Sequence, residues 1–326
     1  MLELRLNLRP SPQSGGIRLL VSVLAFSVSA CVGASTTPSS TPAAGAGSTA
    51  SVTPAGSATL AVVGTENFYA DLLTQIGGPR VTATSLLNDP NADPHAFESS
   101  PQDAALVADA ELVIVNGLGY DAFMDKLLAA SNRPDRVVIN VQQLLGLADD
   151  VNPHVWYDPA TMPKVAAGVA AALARIDPAH ATDYANGQQA YVSALKPIAD
   201  KVAQLKASFA GSPIAFTEDV AGYLTDQIGL VVKTPAGFMK SVEEGTDPAP
   251  VDVAAERDLF TRKVVKVLLY NSQVTSPTTT SIHDLAQQNA IPIVGVAETI
   301  PSAFHTYQAW QLAQLADLEH ALASGG

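Results

Sequence analysis

The feature that most constrains this chain is an alternation. From Leu60 to the C-terminus, short apolar runs of strand length trade places with stretches of helical pattern. Strands are expected at 60–63, 81–86, 111–116 and 137–139, with helices over 66–76 and 101–108, the latter capped by Ser99 or Ser100. The second half repeats the theme, with strands at 213–216, 264–270 and 291–296 and helices over 218–228, 251–260, 279–289 and 304–322. Alternation of this kind packs as parallel sheets covered by crossover helices, so the expected fold class is α/β. The stretch is roughly 270 residues long, more than one hydrophobic core usually holds, and two domains are expected.

Between the halves, Tyr184, Tyr191, Leu195, Ile198, Val202, Leu205 and Phe209 recur every three, four or seven residues. They form one stripe of an amphipathic helix over 178–209, kinked at Pro197. The expectation is two parallel-sheet α/β domains, 58–177 and 210–326, joined by this long, semi-rigid linker helix.

The beginning of the chain reads as an address. Arg5, Arg9 and Arg18 precede the apolar run Leu19-Leu20-Val21-Ser22-Val23-Leu24-Ala25-Phe26, and small residues lead to Cys31, the only cysteine. This is the pattern of an export signal over 1–30. The run is well short of the about 20 residues a spanning helix needs. Val28-Ser29-Ala30-Cys31 resembles the bacterial lipobox, which implies cleavage and a lipid on Cys31. Over 31–57 nearly every residue is Ser, Thr, Ala, Gly or Pro, a composition that buries little and serves as a flexible tether. The expected location is extracytoplasmic, on a membrane anchor. The net charge of −13 argues against nucleic acid and anionic membrane surfaces as partners and is compatible with a cationic ligand. One cysteine excludes a disulfide framework or thiolate zinc site within the chain.

Six histidines are present. His180, His283 and His320 sit among polar residues of helical stretches and read as solvated, while His305 opens the last helix. His95 and His154 each follow a proline, in Asp93-Pro94-His95 and Asn152-Pro153-His154, in loops expected at strand ends. Open α/β sheets bind ligands there, and neutral imidazole is a common zinc ligand that also serves manganese. On the residues alone, the two loops read equally well as structural turns.

The surrounding motifs tip that balance. Asp93-Pro94-His95 with Phe97-Glu98, then Asn152-Pro153-His154-Val155-Trp156-Tyr157-Asp158-Pro159, resemble the zinc- and manganese-binding solute receptors of bacterial ABC importers. The order continues through Thr217-Glu218-Asp219, Tyr270-Asn271-Ser272-Gln273 and Val296-Ala297-Glu298-Thr299. The resemblance implies one divalent metal ion, zinc or manganese, held between two α/β domains. It also implies an ABC permease and ATPase as partners, a monomeric receptor, and no catalysis. Carried over residue by residue, His95 and His154 match two histidine ligands. Glu218 matches the third, which is histidine in many zinc receptors and glutamate in many manganese receptors. Glu298 is the nearest match to a carboxylate after the last strand, where many relatives carry aspartate at a slightly different spacing. Asp93, Asn152 and Asp158 are candidates to orient the imidazoles. The stretch 140–152 lacks the histidine-rich loop of many zinc receptors. That leans toward manganese by analogy, whereas intrinsic affinities favour zinc, so the metal stays open.

Two rival readings carry less. A zinc hydrolase would need an open coordination position and a general base, and neither His-Glu-x-x-His nor Gly-x-Ser-x-Gly occurs. A receptor for an organic solute usually stacks it on aromatics, and only two tryptophans are present, one of them inside the His154 motif.

Overall fold

The computed structural model describes residues 59–325, so the expected signal, Cys31 and tether lie outside the described residues. Within it the apolar runs build two separate parallel sheets with one winding. The first half runs β1 (Leu60–Glu66), α1 (Asn67–Gly77), β2 (Val81–Leu87), α2 (Pro101–Asp109), β3 (Leu112–Val115), α3 (Phe123–Ala130), β4 (Val137–Asn140) and α4 (Val141–Leu145). Three helices follow: α5 (Thr161–Ile176), α6 (Ala181–Ala194) and α7 (Lys196–Phe209). The second half runs β5 (Pro213–Phe216), α8 (Gly222–Ile228), β6 (Val231–Val232), α9 (Ala236–Glu243), α10 (Pro250–Thr261), β7 (Val267–Asn271), α11 (Pro277–Gln288), β8 (Ile293–Val296) and α12 (Tyr307–Ser324). The sheet orders are β2-β1-β3-β4 and β6-β5-β7-β8, every pair parallel. Strands such as β3, buried at all four positions, show why the runs are continuously apolar: helices cover both faces.

The departures from expectation have local causes. The stripe over 178–209 is real, with Tyr184, Tyr191, Ile198, Val202 and Leu205 all buried. It belongs, however, to two helices parted at Leu195, with a 3-10 turn at Pro178–His180 before them. Pro197 lacks an N–H and its ring crowds the carbonyl four residues back, so the ladder restarts two residues ahead of it. The helix expected from Glu218 begins instead at Gly222, because 217–221 form a turn in which Val220 N donates to Glu218 O at 2.8 Å. The two-residue β6 is too short to register as a periodic run.

The two sheets are fastened to each other. Trp310 of α12 stacks on Phe68 of α1 with centroids 6.5 Å apart, Phe68 being stacked in turn on Trp156 (4.6 Å), and Trp310 meets Tyr157 edge-on at 5.8 Å. Burying an aromatic ring system removes roughly 150–250 Å² from water, about 4–6 kcal/mol on area bookkeeping as an upper bound. Polar bonds fix the register of this contact. Tyr157 OH donates to Ala297 O (2.7 Å), Tyr307 OH donates to Trp156 O (2.6 Å), and Asn67 exchanges two bonds with the Ile300 backbone.

Two packing details yield predictions. On α6, a Cβ at Gly187 would run into the backbone oxygen of Ile76, the end of α1. In an exposed helix Gly→Ala gains about 1 kcal/mol. Here backbone cannot yield, and Gly187→Ala is expected to lose about 1–3 kcal/mol in chemical denaturation. Glu256 of α10 is fully buried, accepts only from Thr234 Oγ1 (3.3 Å), and burial pushes its carboxyl up to about 8. Between the unfolded value near 4.5 and about 8, the folded state therefore holds a proton that the unfolded state has released. Stability from this group falls as pH rises through that window, by at most about 1.4 kcal/mol per unit. Glu256→Gln removes that fall. The stability difference, variant minus wild type, should grow from pH 5 to pH 8, and a constant difference would show that Glu256 ionises freely.

Candidate metal centre

The residues singled out in the sequence stand on loops at the carboxyl ends of the strands. His95 follows β2. Asp93 accepts from His95 N (2.8 Å) and so caps the 3-10 turn Pro94–Ala96, with Pro94 buried beneath it. His154 lies beyond α4, at the start of the 3-10 turn Val155–Tyr157. Glu218 follows β5 and Glu298 follows β8. One sheet supplies both histidines and the other both carboxylates.

The structure brings these four together. A ligand atom from each lies within 4.8 Å of all the others. His95 Nε2 is 3.4 Å from Glu218 Oε1 and 3.2 Å from Glu298 Oε2. His154 Nε2 is 3.9 Å and 3.2 Å from the same two oxygens. Bonds of about 2.0–2.2 Å to one shared ion would set tetrahedral donors about 3.3–3.6 Å apart, so the cluster needs little rearrangement to hold a cation. His154, Glu218 and Glu298 are fully buried, while the His95 side chain keeps 21% exposure. His95 and Tyr120 floor a cleft of about 640 Å³ whose rim includes Asp149, Asp150, Glu243 and Lys240. A mostly acidic mouth of this kind concentrates cations.

The electrostatics ask for positive charge at the centre. Burial opposes a charged imidazole, but the hydrogen bonds and charges of Glu218 and Glu298 outweigh it and push His95 up to about 11. His154 is raised in the same way, burial opposing and Glu298 prevailing. Burial also opposes the charge on Glu298, yet bonds from His154 and His95 hold it well below the usual carboxylate range. Glu218 is raised, by burial, with the His95 bond offsetting it in part and the charge of Glu298 adding to it. Glu66 at the end of β1 is fully buried with neither carboxyl oxygen hydrogen-bonded. Burial, and then the charge of Asp121, push it well above its ordinary value.

Of the three expected orienting residues, one holds an imidazole ring. Asn152 Oδ1 lies 2.8 Å from both His154 N and His154 Nδ1, while its Nδ2 donates to Asp219 O at 2.6 Å. An amide oxygen only accepts, so Nδ1 carries a hydrogen and the lone pair of a neutral ring sits on Nε2, facing the carboxylates. Asp93 and Asp158 cap their own turns instead. Sequence reading missed Tyr120, whose OH donates to Glu298 Oε2 (2.9 Å). It also assigned no role to Asn271 or Gln273. Gln273 Oε1 accepts from Glu298 N (2.6 Å), and its Nε2 donates to Ala92 O in the His95 loop. Polar residues directly after an apolar strand, as in Tyr270-Asn271-Ser272-Gln273, were the available signal. The remaining histidines stay apart: His180 pairs with Asp177, His283 lies by Tyr270, and His305 and His320 are exposed.

Comparison with known proteins agrees in family. The model of the ZnuA family, "zinc-uptake complex component A periplasmic", matches residues 62–321. Manganese-binding lipoprotein MntA of Halalkalibacterium halodurans is 26% identical over 212 residues, which is 61% of this chain and 69% of that protein. Among solved structures, the periplasmic zinc binding protein TroA from Treponema pallidum superposes with a TM-score of 0.70 at 20% identity, covering 81% of this chain and 99% of that one. FpvC from Pseudomonas aeruginosa in complex with Mn2+ gives 0.68 at 23% identity, covering 82% and 100%.

The Asn152 arrangement makes its own prediction. Asn152→Ala frees the His154 ring and should weaken binding of a divalent cation about 10–100-fold, measured by calorimetric titration, with the circular dichroism spectrum unchanged. Unchanged affinity would mean that packing against Trp156 and Tyr120 alone orients the ring.

Proposed function

The chain belongs to the ZnuA family of periplasmic zinc-uptake components, and on that premise we propose that it is the extracytoplasmic receptor of an ABC importer for zinc or manganese. In this reading His95, His154, Glu218 and Glu298 capture one divalent ion between the two sheets, and the loaded receptor hands it to the permease. The observation that carries it is the buried convergence of two imidazoles and two carboxylates from four separate loops. Two ionised carboxylates offset the charge of a divalent ion, which makes its burial tolerable. The donor set suits zinc or manganese and is poor for copper(I). A single-ion cluster saturated by its own protein donors fits capture and not turnover.

The layout supports the same reading. Segments 58–177 and 210–326 serve as the two metal-binding lobes, with 178–209 as the spine between them. A lipid on Cys31 and the tether over 31–57 would hold a monomeric receptor at the outer face of the membrane, within reach of the permease. No helix among the described residues is long and apolar enough to cross a membrane. Because one lobe supplies the histidines and the other the carboxylates, an ion tightens contact between them. By linkage it favours whichever arrangement presents both pairs. The aromatic and hydrogen-bonded fastening described above favours small adjustments over wide opening.

The decisive experiment is metal analysis of the purified protein, followed by titration with zinc and with manganese, beside Glu218→Ala and His154→Ala. One ion per chain is expected in the wild type. Thermal stabilisation should accompany it, about 2.7 kcal/mol when the free ion is at 100 times its dissociation constant. Both variants should lose stoichiometric binding. A wild type that takes up neither ion would overturn the assignment.

A further inference from the structure

One side chain touches both carboxylates. Asn271 ends β7, the strand that lies between β5 and β8. Since β5 leads into Glu218 and β8 into Glu298, the strand order alone places Asn271 between them. Its amide is fully buried, and its Nδ2 lies 2.7 Å from Glu218 Oε2 and 2.7 Å from Glu298 Oε1. The orientation of the amide is fixed by its other end, because Oδ1 accepts from Gln273 N at 3.0 Å. The backbone N–H of Asn271 is itself taken up by Thr217 Oγ1. The two hydrogens of the NH₂ group are thus spent on one oxygen of each glutamate. The other two oxygens, Glu218 Oε1 and Glu298 Oε2, face the imidazole Nε2 atoms. Glu218 Oε1 is buried and meets only the two imidazoles, at 3.4 and 3.9 Å, while Glu298 Oε2 also accepts from Tyr120 OH (2.9 Å).

From this we infer that Asn271 is a specificity-determining residue: by engaging one oxygen of each carboxylate and leaving only the other facing the imidazoles, it makes the site four-coordinate and selects zinc over manganese. This rests on the reading that the cluster binds the transported ion. Two Nε2 atoms and two single oxygens make four donors, the number a zinc ion fills with tetrahedral geometry. Manganese favours six donors, largely oxygen. Two glutamates could supply those by chelating through both oxygens, giving two nitrogens and four oxygens in all. Asn271 withdraws two of those oxygens. The glutamate at position 218, which by analogy leans toward manganese, is thereby held to one donor atom.

The test compares wild type with Asn271→Leu, which keeps the approximate shape and removes both donors, and with Asn271→Ala as a second variant should the first fold poorly. Each protein is titrated with zinc and with manganese, and each is loaded with cobalt(II), whose visible absorption reports coordination number. The wild type should show the intense d–d bands of four-coordinate cobalt and a strong preference for zinc. The variants should show weak bands of higher coordination, with the zinc-over-manganese affinity ratio reduced by about tenfold or more. Weak cobalt bands in the wild type would overturn the inference without needing a variant. So would folded variants with the wild-type spectrum and ratio. In both cases, one-to-one binding would leave the receptor assignment standing. A wild type that binds none of the three ions would overturn the receptor assignment, and this inference with it.

Discussion

Two carboxylates buried side by side are the constraint on which the rest of this structure turns. Glu218 and Glu298 are both wholly inaccessible, and two such charges in a low-dielectric interior repel strongly unless something offsets them. In the protein alone the two imidazoles and the Asn271 amide do so, through charge-assisted bonds that pull one carboxyl down and leave the other raised. A divalent ion would do the same with one centre of charge. The site is held ready for a cation because every group around it already answers to negative charge.

That requirement reaches outward through the scaffold. Tyr120 from the first sheet's loops donates to a glutamate of the second, and Gln273 from the second reaches the backbone of the His95 loop of the first. Asn152 both sets the His154 tautomer and bonds Asp219 O, next to Glu218, while Tyr223 OH donates to Asn152 O. Tyr120, Gln273 and Asn152 therefore also tie one lobe to the other. Ligand geometry and lobe placement are one mechanical problem, so in the proposed reading an ion held by the four side chains would bias an arrangement that a membrane partner could sense.

The shared winding of the two sheets explains the position of the site. In parallel sheets with order 2-1-3-4 the loops at the carboxyl ends converge, and two such sheets facing each other bring four loops to one point. The Trp156–Phe68–Trp310 stack lies behind that point and holds the facing. Trp156, read from the sequence only as part of a histidine motif, is thus a wall of the cluster, edge-on to His154 at 5.3 Å.

Much of this was legible beforehand, for definite reasons. Continuous apolar runs marked the central strands β1, β3, β5 and β7 because strands covered on both faces tolerate little else, and β-branched residues marked the edge strands β2, β4 and β8. β6 is two residues long and left no period to read. The stripe through Tyr184 and Val202 was visible, but not the break at Leu195, since side-chain spacing continues across a kink while the hydrogen-bond ladder does not. By itself the sequence determined most of the strands, their parallel class and, through its motifs, the four candidate ligands, all of which depend on neighbours along the chain, whereas α3, α4, α5 and α9 went unread. The tertiary structure alone decided which oxygen of each glutamate faces the imidazoles, which histidine nitrogen faces the centre, and that Asn271 and Tyr120 belong to the site. Those are set by atoms far apart along the chain, 178 positions between Tyr120 and Glu298, and no local pattern encodes a direction in space.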